Sequence, residues 1–110
     1  MTDTGQITDN AGASRFELMS DGHRAELVYR IRGSRLVIRH TSVPPELGGR
    51  GIGGALVTAA LDRAVRDELT VVPLCPFARG WLERHPEAAA RVTIDWGAAD
   101  DTGPGPELPG

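Results

Sequence analysis

The spacing of hydrophobic residues changes about half-way along this chain. Between residues 25 and 31 apolar side chains occupy alternate positions, with arginine and glutamate among those in between, which is the period of a half-buried β-strand. Arg15–Met19 and Leu36–Val43 are two further strand candidates, and turn residues at 20–22 and 33–34 connect the three segments as hairpins. The first half of the chain is therefore predicted to form antiparallel strands.

The hydrophobic spacing becomes helical in the second half of the chain. From Ile52 to about Glu68, apolar residues cover one wide face of a helix, which indicates that this face packs on a hydrophobic core. Leu69–Cys75 is predicted as a fourth strand. Because a strand, a helix and a second strand in succession form a crossover between parallel strands, we expect the fourth strand to lie parallel to the third.

These elements predict the fold class α/β, in the α+β sense. The sheet is expected to be mixed and mostly antiparallel, with one parallel strand pair and the long helix packed on one face. Pro76 is suited to the first turn of a helix and opens a short one through Phe77–Arg84. After it, we expect a helical turn from residue 88 and a last strand at Arg91–Trp96.

Chain length and composition indicate one domain with polar ends. The 110 residues suit a single domain. Residues 1–14 are poor in apolar side chains and residues 97–110 are rich in Asp, Gly and Pro, so we expect a disordered leader and tail around a domain at residues 15–96. No apolar run approaches the length of a membrane span, and the N-terminus lacks a secretory signal pattern. We therefore expect a cytoplasmic protein that does not bind membranes.

Charge is distributed unevenly along the chain. The formal net charge is -3, but six of the 15 acidic residues lie near the ends, at positions 3, 9, 95, 100, 101 and 107. The other nine share residues 15–94 with all 12 arginines, so that span carries about +3 and attracts anionic small molecules. Nucleic-acid binding is not expected, because the five aromatic residues are few and no dense basic stripe is present.

A metal site is not expected either. Cys75 is the sole cysteine, which excludes an intramolecular disulfide and a metal site built on cysteines. The three histidines, His23, His40 and His85, do not have the spacing of metal ligands.

A glycine-rich segment links the third predicted strand to the long helix. Arg39-His40-Thr41-Ser42-Val43 is followed by Pro44-Pro45-Glu46-Leu47 and then by Gly48-Gly49-Arg50-Gly51-Ile52-Gly53-Gly54. Such a turn at a helix N-terminus directs backbone amides and the helix dipole at one point, which binds phosphate. A dinucleotide fold is disfavoured because its glycines follow the first strand of a parallel sheet directly, and a P-loop is disfavoured because no Lys-Ser or Lys-Thr follows the glycines.

Val43–Leu56 resembles motif A of the GNAT (Gcn5-related) N-acetyltransferases, in which a strand, the pattern Gln/Arg-x-x-Gly-x-Gly/Ala and a long helix bind acetyl-CoA. Gly51 and Gly53 take the two glycine positions, whereas Gly48 stands where the family has Gln or Arg. With Pro73-Leu74-Cys75-Pro76 and His85-Pro86-Glu87, the chain is similar to a compact stand-alone branch of this family that carries a Pro-x-Cys-Pro motif.

The resemblance implies that acetyl-CoA is the cosubstrate and that an amine, whose identity the sequence does not reveal, is the acceptor. Arg50 is expected to compensate for the side chain missing at Gly48. The residues implied in acetyl-CoA binding are Thr41, Ser42, Val43, Gly48, Gly49, Arg50, Gly51, Ile52, Gly53 and Gly54.

The implied chemistry is attack of the amine on the acetyl thioester. A strand amide near Val43 is expected to stabilise the oxyanion, and a general base must take the proton of the amine. Cys75 is predicted to protonate the departing CoA thiolate or to accept the acetyl group; the alternative is a small buried core residue. His40 and His85 are candidates for the base, with a packed structural histidine as the alternative for each.

The leading hypothesis is therefore an acetyltransferase that moves an acetyl group from acetyl-CoA to an amine. Two alternatives stay open: a non-catalytic module that binds CoA or acyl-CoA, and a nucleotide-binding module. The helices that precede motif A in larger GNAT proteins and help to wall the acceptor pocket have no counterpart in this chain. Their absence favours an open acceptor site for a large partner, or no catalysis.

Overall fold

The computed structural model describes residues 7–97. Its strands are β1 (Ile7–Asn10), β2 (Arg15–Ser20), β3 (His23–Arg32), β4 (Arg35–Ser42) and β5 (Thr70–Pro73). They form one sheet in the order β1-β2-β3-β4-β5, in which β1 to β4 are antiparallel neighbours and β5 is parallel to β4. This mixed sheet with one parallel pair confirms the predicted fold class.

Three helices, α1 (Ile52–Asp67), α2 (Pro76–Arg84) and α3 (Pro86–Ala89), pack on one face of the sheet. The buried residues of α1 recur three or four positions apart, which places them in one stripe on the sheet side of the helix. Ala78 and Leu82 of α2 join them, and the strands contribute their inward-facing residues to the same hydrophobic cluster. The core is therefore one layer between the sheet and the helices.

The first described strand lies where a disordered leader was expected. Ile7–Asn10 pairs with β2, and Ile7 packs against the core. Asp9 accepts hydrogen bonds from the Tyr29 hydroxyl and from Arg63 Nη1, both at 2.6 Å, which ties β1 to α1. Backbone pairing and this polar network hold a segment that has little apolar surface of its own. The expectation for residues 7–14 is corrected accordingly, and residues 1–6 lie outside the described part of the chain.

The predicted last strand at Arg91–Trp96 is wrong. Within residues 7–97, this segment forms a single parallel bridge, between Ile94 and Val71, with hydrogen bonds from Val71 N to Thr93 O and from Asp95 N to Val71 O. No ladder forms because Arg91 and Val92 belong to the turn and bend that follow α3, and Trp96 already lies in the next turn. Of the expected disordered tail, Gly97 is described and the remainder lies outside the described residues.

No helix in the described part of the chain is both long enough and apolar enough to cross a membrane. In the same part, His, Cys, Asp and Glu side chains do not gather in any group of three or more that could hold a metal ion.

We expect Tyr29→Phe to lower the free energy of unfolding by about 1 kcal/mol, because it removes hydrogen bonds from a partly buried network. The hydroxyl donates to Asp9 and accepts from Arg63 Nη1 at 3.0 Å, whereas the ring contact with Phe16, at 5.0 Å between centroids, survives the substitution. Urea denaturation followed by circular dichroism measures the change. In an Asp9→Ala background the same substitution should cost less; equal costs in both backgrounds would contradict the network.

Candidate functional site

β4 and β5 pair along only part of β4. The parallel ladder ends at the pair Ile38 and Pro73, and proline has no N–H for a further ladder bond. The carbonyl oxygen of Ile38 then accepts from the amides of Leu74 and Cys75, at 3.0 and 3.1 Å. β4 continues to Ser42 while the other chain turns into α2. The two strands therefore diverge beyond Ile38 and leave a gap between them.

A β-bulge decides which side chains at the end of β4 face the helices. The register between β3 and β4 shifts between Val28 and Tyr29, which leaves Arg39 as the extra residue on β4. Beyond the bulge, Thr41 lies opposite Leu27, which is fully buried on the helix side. A regular strand would have turned Thr41 to the other face, because a shift of one residue exchanges the two faces.

The gap opens into a cleft of about 700 Å³, which is bounded by the end of β4, the first turns of α1 and helix α2. A volume of this size is typical of small-molecule sites. Eight of the residues implied in acetyl-CoA binding line the cleft: Thr41, Val43, Gly48, Gly49, Gly51, Ile52, Gly53 and Gly54.

The loop between β4 and α1 is anchored at one side chain and turned by two glycines. A 3-10 turn at Pro45–Leu47 buries Leu47 completely in the core. Gly49 and Gly51 have φ angles of +78° and +74°, in the left-handed region that favours glycine. With the loop held at Leu47, these two residues let it turn sharply into α1.

The N-terminus of α1 presents free backbone amides to the cleft. Gly51 is the residue before the helix, and no side chain caps it. The first hydrogen bond of the helix runs from Ala55 N to Gly51 O at 3.0 Å, so the amides of Ile52, Gly53 and Gly54 have no partner in the helix. Together with the dipole of a 16-residue helix, they form a site suited to an anion.

α2 forms the opposite wall of the cleft with Phe77, Trp81 and Arg84, which lie on one face of the helix at i, i+4 and i+7. A Cβ atom added to Gly53 would lie 2.6 Å from Phe77 Cζ, and one added to Gly54 would lie 2.5 Å from Trp81 Nε1. Both glycines are therefore needed for the close contact between α1 and the aromatic side chains of α2.

His85 holds the indole of Trp81 in place. The two rings are stacked, with centroids 4.0 Å apart and an angle of 16° between the planes. His85 Nδ1 also lies 2.8 Å from the carbonyl oxygen of Trp81, within hydrogen-bond distance. His85 thus packs behind the wall of the cleft and does not line it.

Cys75 lies across the gap from Thr41. Its side chain is buried, and its Sγ donates a hydrogen bond to Thr41 Oγ1 at 3.5 Å. Since Thr41 lines the cleft and Cys75 does not, the thiol is connected to the cleft through the threonine hydroxyl.

Residues 15–92 match the model of a family described as GCN5-related N-acetyl-transferase. The match covers well over half of the chain. The chain belongs to this family.

Similar proteins occur in vertebrates and bacteria. Protein NATD1 of Homo sapiens and that of Gallus gallus are each 38% identical to this chain over 64 residues, 57% of its length and 57% and 58% of theirs. The alignment thus spans less than two thirds of these relatives. The solution NMR structure of a GCN5-like protein from Staphylococcus aureus has a TM-score of 0.65 and 28% identity, over 86% of this chain and 93% of that one. Family and fold confirm the resemblance to GNAT proteins; a distinct branch with a Pro-x-Cys-Pro motif stays a prediction.

Two residues of the predicted binding set lie outside the cleft. Ser42 is opposite Glu26 in the ladder and points to the face without the helices. Arg50 Nη1 lies 2.9 Å from Asp21 Oδ2 and 3.3 Å from Ser20 Oγ, in the turn between β2 and β3. The Arg50 guanidinium is therefore engaged away from the cleft and does not take the place of the side chain missing at Gly48.

The cleft contains one ionisable side chain among the described residues, Arg84. His40 is exposed on the far face of β4, where it lies opposite Val28. Neither His40 nor His85 reaches the cleft as a base, and the α2 residues that line it are absent from the predicted binding set. The spacing of Phe77, Trp81 and Arg84 was a signal for one helical face, but only the fold shows that this face meets the glycines.

Gly54→Ala is expected to displace the Trp81 ring and to lower the free energy of unfolding by about 1 kcal/mol, because overpacking outweighs the higher helix propensity of alanine. Gly53→Ala is the matched control. Phe77 is 42% exposed and can turn away, whereas Trp81 is held by its stack on His85. We therefore expect Gly53→Ala to change stability by less than about 0.5 kcal/mol.

Urea denaturation compares the two glycine variants. Intrinsic fluorescence in a Trp96→Phe background reports the environment of Trp81 alone, since the chain has two tryptophans. Equal stability losses with an unchanged Trp81 spectrum would show that the contact with Gly54 does not hold the indole.

Proposed function

We propose that this protein transfers an acetyl group from acetyl-CoA to an amine. The observation that carries the proposal is the gap between β4 and β5, which begins beyond Ile38 and opens into the cleft beside the glycine-rich loop. The extended pantetheine arm of CoA carries amides that can pair with the free edge of β4, as an added strand does. In that position the thioester lies beside Thr41, with Cys75 behind the threonine hydroxyl.

The diphosphate of CoA is bound at the N-terminus of α1. The free amides of Ile52, Gly53 and Gly54 donate to its oxygens, and the helix dipole adds to the attraction. Because position 48 is glycine and Arg50 is paired with Asp21, the binding depends on backbone donors. Arg84, on the other wall of the cleft, supplies the positive charge.

The backbone amide of Val43 is assigned to the oxyanion. Val43 lines the cleft one residue beyond the last pair of the β3–β4 ladder, Glu26 with Ser42. When the amine nitrogen attacks the thioester carbon, negative charge develops on the carbonyl oxygen, and a fixed N–H stabilises it at no reorganisation cost. The attack forms the C–N bond; after the amine proton has passed to a base, collapse of the intermediate restores the carbonyl and breaks the C–S bond, which releases the CoA thiolate.

Cys75 is assigned to protonation of that thiolate, through Thr41. The Cys75 thiol donates to the Thr41 hydroxyl, whose own proton is then directed into the cleft toward the leaving sulfur. The alternative role, a nucleophile that accepts the acetyl group, requires direct contact with the thioester. The burial of Cys75 behind Thr41 favours the proton donor.

One observation favours the rival function, a CoA-binding module without catalysis. Within the described residues, the cleft has no carboxylate or imidazole to take the proton of the amine. Catalysis therefore requires water or a group on the far face of the sheet as the base. The second alternative, a nucleotide-binding module, is supported by the glycine-rich loop alone. Binding of NAD or ATP tests it.

We expect acetyl-CoA and CoA to stabilise the protein and NAD and ATP not to. At a concentration about 100 times Kd the gain is about 2.7 kcal/mol, which raises Tm by roughly 10 °C or more in a domain of this size. Differential scanning fluorimetry measures the shift. Stabilisation by NAD or ATP and not by CoA would overturn the proposal.

Gly51→Ala is expected to reduce the shift caused by CoA by more than half, because an L side chain strains the left-handed backbone that aims the amides. Gly33→Ala is the matched control: its φ is +59° against +74° at Gly51, and neither added Cβ meets an atom within 4 Å. Gly33 lies in the turn between β3 and β4, outside the cleft. Equal loss of the shift in both variants would mean that the loop does not bind CoA.

Cys75→Ala is expected to lower kcat for acetyl transfer by roughly tenfold or more, with the CoA-induced shift in Tm retained. Cys75→Ser keeps a hydroxyl donor and should retain more activity. Release of the CoA thiol in the presence of a lysine-containing peptide measures turnover. An unchanged kcat in Cys75→Ala would exclude the proton-donor role. A mass gain of one acetyl group on the wild-type protein would indicate that Cys75 acts as a nucleophile. If the wild-type protein binds CoA but shows no turnover, the non-catalytic module is supported.

A further inference from the structure

The sheet face turned away from the helices, called the open face below, carries most of the arginines of the strands. The helices of residues 7–97 pack on the other face, where the inward residues of the strands are buried. On each strand the alternate residues point to the open face. Two of its arginines are neutralised: Arg15 donates to Glu17, and Arg24 Nε lies 3.6 Å from Glu26 Oε1.

Four other arginines, at positions 30, 32, 35 and 39, form a patch on β3 and β4, called the arginine patch. Arg32 lies directly opposite Arg35. Arg30 lies opposite Val37, so the diagonal neighbours of Arg30 on β4 are Arg35 and Arg39, at about 7 to 8 Å. Arg35 pairs with Asp95. Arg30, Arg32 and Arg39 are exposed, and no carboxylate of residues 7–97 lies within ion-pair distance of them.

This concentration of like charge is unfavourable in the isolated sheet. Arginines directly opposite each other on neighbouring strands repel, and within residues 7–97 Arg30, Arg32 and Arg39 have no carboxylate partner to balance their charge. Elsewhere on the open face arginines are balanced by carboxylates, because Arg15 and Arg24 share Glu17 and Glu26 as partners. The arginine patch is therefore complementary to an anionic surface from outside the described fold.

We propose that the arginine patch binds an acidic stretch of the acceptor protein and thereby delivers the acceptor amine to the gap. This inference rests on the proposed acetyl transfer. CoA enters from the helix side, so an amine reaches the thioester from the open face, where His40 and Ser42 lie. The strand that carries the patch, β4, leads to the gap.

The register of β4 sets the spacing of the acidic residues. Arg39 is four positions before Val43 and Arg35 is eight, or about 13 Å and about 26 Å at the rise of an extended strand. The acceptor is thus a protein segment with a lysine or an N-terminal amine, and with glutamates or aspartates about four to eight residues from it. Guanidinium groups bind carboxylates in pairs of hydrogen bonds, which suits this contact.

A nucleic acid fits the arginine patch less well than an acidic protein segment. Binding of single strands combines basic groups with aromatic side chains that stack on bases. The five aromatic residues of this chain lie elsewhere: Phe16 and Tyr29 in the core, Phe77 and Trp81 on α2, and Trp96 against Arg79.

Two fluorescein-labelled peptides test the docking step without relying on acetyl transfer. One has a single lysine and glutamates at the fourth to eighth positions from it; the other has glutamines in their place. Fluorescence anisotropy at low salt should show at least fivefold tighter binding of the glutamate peptide to the full-length protein, with the difference lost at high salt. Equal binding of the two peptides would overturn the proposal.

Arg30→Gln combined with Arg32→Gln should remove this preference, while Arg66→Gln should leave it intact. Arg66 is an exposed arginine on α1, outside the open face, so the control removes charge without touching the arginine patch. Equal effects of the double variant and the control would contradict docking on the arginine patch. Tighter binding of a single-stranded DNA of equal charge would also contradict it. If the glutamate peptide bound only after Asp100→Asn and Asp101→Asn, the arginine patch would instead be assigned to the chain's own C-terminal carboxylates, which also contradicts the proposal.

The transfer assay then separates the two proposals. If acetylation of the glutamate peptide exceeds that of the glutamine peptide in kcat/KM, and the double variant lowers only the former, the arginine patch selects the acceptor. Binding of the glutamate peptide without any acetylation would keep the docking surface and reject acetyl transfer. Acetylation of both peptides at the same rate would keep acetyl transfer and reject the role of the arginine patch.

Discussion

The termination of the β4–β5 ladder at Ile38 and Pro73 governs the rest of this structure. Proline cannot continue the ladder, and the Ile38 carbonyl is already shared by the next two amides. The chain therefore turns into α2 at Pro76 while β4 runs on alone. The gap, the position of Cys75 beside Thr41 and the placement of the α2 aromatic residues all follow from the point at which pairing stops.

Two departures from regular backbone then direct groups toward the gap. The bulge at Arg39 exchanges the faces of β4, so that Thr41 and not His40 faces the helices. At the start of α1, glycines serve two purposes. Gly51 supplies a left-handed backbone that leaves the helix amides exposed, and Gly53 and Gly54 allow the α2 aromatic side chains to approach the helix.

The sheet thus separates the two proposed kinds of anion recognition. On the helix side, backbone amides and a helix dipole converge on one small site, which suits a compact diphosphate. On the open face, guanidinium groups at the ends of long side chains are spread over two strands, which suits an extended chain of carboxylates. The gap between β4 and β5 is where these two faces meet, and in the proposed reaction it is where a thioester from one side would contact an amine from the other.

Much of this architecture could be predicted because its signals are local. Alternation in residues 25–31, the turns at 20–22 and 33–34 and the helical spacing after Ile52 each depend on neighbours in the chain. The crossover rule then made β5 parallel to β4, and the glycine pattern located most of the cleft.

The features that the hydrophobic pattern and the turn residues could not predict depend on residues far apart in the chain. β1 is held by a network between Asp9, Tyr29 and Arg63, and Arg50 pairs with Asp21, which lies 29 positions earlier in the chain. The strand predicted before Trp96 became one bridge because its first residues form the turn and bend that follow α3. Periodicity and turn residues determine which segments are strands, helices and loops, whereas the partner of a charged or aromatic side chain is decided only when packing brings distant segments together.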